Sequence, residues 1–141
     1  VITPHPGEMA RLCGKSIGEI LSNTVETAED FAKKYGIICL LKDHRTIITD
    51  GSSTFVNQSG NPGMATGGSG DVLSGIIGAL LARDTLADWA NEGRKALPHA
   101  LYRTAAAAYV HGLAGDKAAE KYGQYSLTAS EIISEIHQAI R

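Results

Sequence analysis

The chain has 141 residues, 43% of them hydrophobic and 20% charged, with a net charge of −2 at neutral pH. That length and balance fit one globular domain, and the near-neutral charge removes the electrostatic case for nucleic acid or an anionic membrane as partner. No apolar run approaches the roughly 20 residues of a transmembrane helix and no signal peptide is visible, so a cytoplasmic protein is expected.

"VIT" at the start reads as the end of a buried strand already under way. A chain that opens in mid-strand is expected to lack an N-terminal half, leaving an open parallel edge lined by Ile2, Ile38 and Leu40. Pro4 and Pro6 turn the chain; Pro6 disfavours helix at His5, and Gly7 allows the tight path into the short helix "EMARLCG". Residues 22–35 place Val25, Ala28, Phe31 and Ala32 at helical spacing, with Ser22 or Asn23 as N-cap and Gly36 as stop. "IICLLK", residues 37–42, is an apolar run closed by a lysine, the pattern of a strand buried on both faces. "RTIITDG" and "STFVNQ" read as two strands joined by a tight turn at Asp50-Gly51.

Beyond a glycine-rich stretch, residues 71–83 form a strongly apolar, central helix carrying Val72, Leu73, Ile76, Ile77, Leu80 and Leu81. The alanine-rich run from about Leu101 is helical, and Gly112 or Gly115 is expected to bend or end it. "TASEIISEIHQAIR" closes the chain as an amphipathic helix capped by Thr128 or Ser130. Cys13 and Cys39 stand in neither a C-x-x-C nor a zinc spacing and read as buried free thiols in a reducing compartment. His99, His111 and His137 show no ligand pairing and read as packing or surface residues. Strands followed by packed helices predict an α/β layered fold over residues 1–141, a single domain with a mostly parallel central sheet flanked by helices.

The chemistry concentrates in "NPGMATGGSGDVLSG", residues 61–75. It is neither a Walker loop, since no lysine follows the glycines, nor a dinucleotide fingerprint, since the third glycine of that spacing falls on Leu73. Gly67, Gly68, Ser69 and Gly70 would nevertheless present bare N–H groups at the start of an apolar helix, where unpaired donors and the dipole attract phosphate. Asp71 beside an anion would repel it. Two readings answer that conflict: a helix first-turn acid favoured by the dipole, or a base that takes a proton from a hydroxyl while the backbone steadies a phosphoryl group. A side chain at Gly70 would intrude on the anion and is expected to meet a forbidden φ.

"GGSGDVLSG" resembles the G-x-G-D anion hole of ribokinase-like kinases, and "TPHPGE", residues 3–8, resembles the T-P-N-x-x-E element of vitamin kinases in that superfamily, with His5 in place of Asn. Together with "LLKDHRT" and "YVHGLAGD", the pattern is similar to the ADP-dependent NAD(P)H-hydrate dehydratases, matching the C-terminal portion of their ribokinase-like domain. The resemblance implies repair of hydrated NADH and NADPH (NADHX and NADPHX): a nucleotide phosphorylates the added hydroxyl, phosphate leaves, and AMP remains. It implies ADP as phosphoryl donor, with Mg²⁺, and a homo-oligomer is expected.

In the roles so implied, Asp71 is the catalytic base and touches the substrate, Gly68, Ser69 and Gly70 clamp phosphoryl charge, and His5 contacts the hydrate. His5 reads alternatively as a turn residue capping the strand end, but prolines on both sides hold it rigidly, which favours a positioned role. Glu8 would act near magnesium through water or serve as a first-turn acid. Lys42, Asp43, His44, Arg45 and Thr46 match a K-G-x-x-T nucleotide-phosphate element, with Asp43 where the family has glycine; Lys42 falls at the strand's carboxyl edge, where open α/β sheets bind ligands. Asn57 and Asn61 flank the loop and would line the substrate pocket. The rival readings are another ribokinase-like small-molecule kinase, of hydroxymethylpyrimidine or pyridoxal type, and a catalytically silent nucleotide-binding module.

Overall fold

The first helix is set by a histidine. His5 is extended (φ −86°, ψ 169°), as its place before Pro6 requires, and caps α1 (Pro6–Cys13). Its Nδ1 accepts from the amides of Gly7 and Glu8 at 3.0 and 3.2 Å, and Glu8 Oε2 accepts from the His5 amide at 2.7 Å. This is a capping box with imidazole in the usual Ser/Thr place. The computed structural model of the chain describes residues 1–82 and 96–140.

The helix expected over residues 22–35 is present, and a short helix that was not expected precedes it. Ser16 and Glu19 form their own capping box and start α2 (Ile17–Ser22), so α3 (Thr24–Tyr35) begins afresh after Asn23. Its buried face is Thr27, Ala28 and Ala32, while Val25 is exposed, a correction to the expected core register. Gly36 stops it in the left-handed region at φ 61°.

Three short strands follow: β1 (Cys39–Leu41), β2 (Ile47–Thr49) and β3 (Thr54–Val56). They pair antiparallel in the order β1-β2-β3. The turn between β2 and β3 is longer than the Asp50-Gly51 pair, because Asp50 Oδ1 accepts from both Ser52 and Ser53 amides at 2.8 Å. Parallel pairing, expected to dominate, appears among the described residues as one bridge, Ile2 to Cys39.

The apolar run of β1 does what its composition requires. Cys39 and Leu41 join Met9, Ala10, Ile20, Ala28 and Ala32 on one face. Ile38 and Leu40 join Leu73, Ile77, Leu101 and Ala107 on the other. Helices therefore cover both faces, and each fully buried Leu contributes about 1.5–3 kcal/mol. Ile38 and Leu40, expected to line an open apolar edge, are buried under this second layer; Ile2 is partly buried. Burial also pushes the Cys39 thiol up to about 12, with Cys13 adding to the shift, so it stays protonated. Both cysteines are free.

The second layer is α4 (Ser69–Leu81), α5 (Ala96–Tyr122) and α6 (Ala129–Ala139). Helix α4 starts two residues before the expected position; its expected end at residue 83 lies outside the described residues. Helix α6 begins after Thr128, whose amide donates to the Glu131 carboxylate at 3.0 Å. Helix α5 continues through Gly112 and Gly115, which do not end it. Both are places of close approach instead: a Cβ at Gly112 would run into Ser59, and one at Gly115 into the Met64 side chain. No helix among the described residues is long and apolar enough to cross a membrane.

Candidate functional site

The parallel rung between Ile2 and β1 decides where the site lies. The Ile2 amide donates to Ile38 O at 3.0 Å, the Leu40 amide to Ile2 O at 2.9 Å, and the Lys42 amide to Pro4 O at 2.8 Å. Two segments running in the same direction must leave the sheet at the same edge. His5 and Lys42 are therefore neighbours, with Lys42 Nζ 3.9 Å from Glu8 Oε2.

The glycine stretch reaches that edge from the other layer. Gly68 caps α4 at φ 86°, in the left-handed region, so this position requires glycine. Gly70 is not left-handed, which corrects the strain expected there. Of the amides in the loop, Ser69 N–H turns to Thr66 O at 3.3 Å and Asp71 N–H to Gly68 O at 3.0 Å. Those of Gly67, Gly68 and Gly70 have no hydrogen bond among the described residues. A Cβ at Gly70 would stand 3.5 Å from Lys42 Nζ, so an ammonium group and the positive end of α4 converge.

Between these elements lies a cleft of about 700 Å³, within the range of small-molecule sites. Its lining includes His5, Lys42, Asp43, His44, Ser69 and Gly70, and also Thr46. Three segments remote in sequence are thus joined. Arg45, Gly68, Asp71 and Glu8 are not among its described lining residues. Asp71 is exposed in the first turn of α4, and no side chain among the described residues hydrogen-bonds its carboxylate. Asp43, in the glycine's place, keeps a negative φ, and its carbonyl accepts from Thr46 Oγ1 at 3.2 Å.

Asn57 and Asn61 line the cleft as expected, but their side chains hold its wall together. Asn57 Nδ2 donates to Ser59 O at 3.1 Å and Ala108 O at 3.4 Å. Asn61 Nδ2 donates to Asp116 Oδ1 at 3.0 Å, and Asp116 Oδ2 accepts from the Gly60 amide at 2.9 Å. The motif "YVHGLAGD" is thereby explained: Ala108, His111, Gly112, Gly115 and Asp116 share one face of α5 by their i, i+3, i+4, i+7, i+8 spacing. That face grips the 57–64 wall and the glycine loop together.

His111 was expected to be a packing or surface residue. It is buried, lines the cleft, and its Nε2 lies 3.3 Å from Ser69 Oγ. Burial pushes its pKa below the ordinary histidine range; hydrogen bonding at Ser69 opposes that, and the Lys42 charge adds to it. The imidazole is neutral at pH 7. The signal that finds it is its helical spacing from Gly112 and Asp116, not any pairing with another histidine.

No three His, Cys, Asp or Glu side chains among the described residues could hold a metal together. Glu8 is held below the usual carboxylate range first by the hydrogen bond from the His5 amide, against burial, with the charges of Lys42, His5 and Arg11 adding to the lowering. A single partly exposed carboxylate, 3.9 Å from the Lys42 ammonium, could hold a magnesium ion only through water.

A family model described as NAD(P)H-hydrate dehydratase matches residues 1–138. The bifunctional NAD(P)H-hydrate repair enzyme of Moorella thermoacetica is 42% identical over 143 residues, which cover 100% of this chain and 24% of that protein. The ADP-dependent (S)-NAD(P)H-hydrate dehydratase of Cenarchaeum symbiosum is 40% identical over 94% of this chain and 41% of its own length. Among solved structures, the ADP/ATP-dependent NAD(P)H-hydrate dehydratase of Bacillus subtilis, co-crystallized with ATP and Mg²⁺, has a TM-score of 0.79 at 26% identity, covering 98% of this chain and 46% of that one. A ribokinase-like superfamily protein of Enterococcus faecalis gives 0.70 at 33% identity over 98% of this chain and 43% of its own. The chain thus spans less than half the length of each of these relatives.

Proposed function

The chain belongs to the NAD(P)H-hydrate dehydratase family, and from that membership we propose that its cleft serves the ADP-dependent dehydration of NADHX and NADPHX. The hydroxyl on the nicotinamide ring attacks the terminal phosphorus of ADP, forming an O–P bond and releasing AMP. Phosphate then leaves with the C–O bonding pair while the neighbouring ring carbon loses a proton, and the double bond returns. Water is a poor leaving group and phosphate a good one, which is why a nucleotide is consumed.

One observation carries this reading: Lys42 Nζ and the start of α4 at Gly70 converge on one wall of a cleft that also holds His5. An ammonium and unbonded first-turn amides are chemistry for phosphoryl oxygens. Lys42, Asp43, His44, Arg45 and Thr46, with Gly68, Ser69 and Gly70, are assigned to the nucleotide. His5 is assigned to the hydrate, supported by its place in the lining beside the anion wall. Its Nδ1 is committed to the α1 cap. Asp71 is the proposed base, supported by its exposed carboxylate in the turn that carries the anion amides. Glu8 would hold Mg²⁺ through water, and the ion when bound neutralises phosphate charge.

The mostly parallel sheet belongs to the same proposal, supported by the Ile2–Cys39 rung. So does a reducing, cytoplasmic setting, supported by the free thiols of Cys13 and Cys39. A homo-oligomer is likewise proposed, supported by the exposed Tyr102, Tyr109 and Val56.

The test mixes the protein with hydrated NADH, Mg²⁺ and either ADP or ATP and follows the return of NADH fluorescence. Recovery with ADP is expected. Tight ADP binding with no recovery would mark a nucleotide-binding module instead, and a clear ATP preference would overturn the choice of donor.

A further inference from the structure

We propose that His111 is a positioning residue for the anion loop: its imidazole fixes the Ser69 hydroxyl and, through it, the first turn of α4 against the nucleotide. The inference rests on the reading of the cleft as a nucleotide site. It concerns a residue that neither the glycine loop nor the lysine segment contains.

Three observations carry it. Ser69 is the first residue of α4, directly after the left-handed Gly68 and before Gly70, so rotation of this one residue re-aims the unbonded amides on either side. Its hydroxyl has one hydrogen-bonding neighbour among the described residues, His111 Nε2 at 3.3 Å, and both residues are buried, at 7% and 9% exposure. Finally, His111 stands on the α5 face whose neighbours Ala108, Gly112 and Asp116 hold the opposite cleft wall. A rigid helix therefore sets the distance between that wall and the anion loop, and the His111–Ser69 contact is its link to the loop. A buried hydroxyl without that partner would be left unsatisfied, and relieving it requires the turn to move.

The experiment titrates ADP, with Mg²⁺, into the full chain and into His111→Leu, His111→Gln, Ser69→Ala and the Ser69→Ala/His111→Leu double variant, with the melting temperature of each. His111→Leu should weaken ADP binding about 3- to 10-fold, the range of one lost hydrogen bond. His111→Gln, which keeps a polar nitrogen and oxygen at similar reach, should recover affinity to within about 2-fold of wild type. Ser69→Ala should show at least the same loss, and adding His111→Leu to it should cost little more, since the coupled contact is already gone.

A purely structural histidine would lower the melting temperature and leave the ADP affinity of the folded protein unchanged. That result overturns the proposal, as do equal losses from His111→Leu in both backgrounds. If His111→Leu fails to fold, Ser69→Ala and His111→Gln decide: wild-type affinity in Ser69→Ala refutes the link. Wild-type protein with no ADP affinity would instead bring down the nucleotide reading itself.

Discussion

The main-chain amide of Lys42 donates to the carbonyl of Pro4 at 2.8 Å, and this one hydrogen bond joins two motifs 38 positions apart in sequence (42 − 4). Above it, the chain turns at His5 into α1; beside it, Lys42 leaves β1 toward the start of α4. Without parallel pairing the "TPHPGE" and "LLKDHRT" segments would have no reason to meet. With it, a capping histidine, a lysine and the glycine loop frame one cleft.

Asp71→Asn should abolish turnover while leaving ADP affinity nearly intact. The amide keeps the shape of the carboxylate but cannot take the hydroxyl proton, and loss of a positioned base costs roughly 10²- to 10⁴-fold. The return of NADH fluorescence at saturating ADP measures it; turnover near wild type would exclude Asp71 as the base.

Gly68→Ala and Gly70→Ala should separate stability from binding. At Gly68 the backbone is left-handed (φ 86°) and a Cβ would lie 3.1 Å from Ala129 Cβ, so alanine should destabilise by about 1–2 kcal/mol. At Gly70 the helix welcomes alanine, but the methyl would enter the space beside Lys42 Nζ. There the melting temperature should hold or rise while ADP affinity falls. The opposite pattern would place the anion elsewhere.

Gly112→Ala should cost more than Gly115→Ala. Alanine favours an isolated helix by about 0.5–1 kcal/mol at either position. At Gly112, however, a Cβ would stand 2.7 Å from the backbone C and O of Ser59, which cannot yield without moving the cleft wall. At Gly115 it would meet the flexible Met64 side chain, which can rotate away. Denaturant midpoints of the two variants compare them directly; equal costs would mean that the wall itself is yielding.

Stability should decline as the pH falls through the histidine range, and His111 should account for part of it. Burial, opposed by hydrogen bonding at Ser69 and aided by Lys42, holds its folded-state pKa below the unfolded value, so the unfolded chain binds the extra proton first. The contribution is present above about pH 6.5, the unfolded value, and is lost as pH falls toward the folded one. Melting temperatures of wild type and His111→Gln between about pH 7.5 and 5.5 test this. The wild type should show the steeper loss, and parallel curves would refute it.

The elements that the sequence alone determined are those whose signals are local. Gly36 ends α3 because a left-handed residue needs no partner to be favourable. "IICLLK" is buried on both faces because six residues without water-seeking groups, lysine apart, have nowhere else to go. The glycine-rich start of α4 was legible too, since Gly68 takes the left-handed cap position that glycine alone adopts freely. Tertiary structure alone decided the rest. Ser16 and Glu19 start a short helix that was not expected, through side-chain hydrogen bonds that a hydrophobic pattern does not encode. Gly112 and Gly115 looked like helix breakers, yet the cost of glycine within α5 is offset by the approach of Ser59 and Met64, residues more than fifty positions away. His111 sits within "YVHGLAGD", yet its place in the cleft was not legible, because its partner is a serine 42 positions distant and only packing brings the two within 3.3 Å.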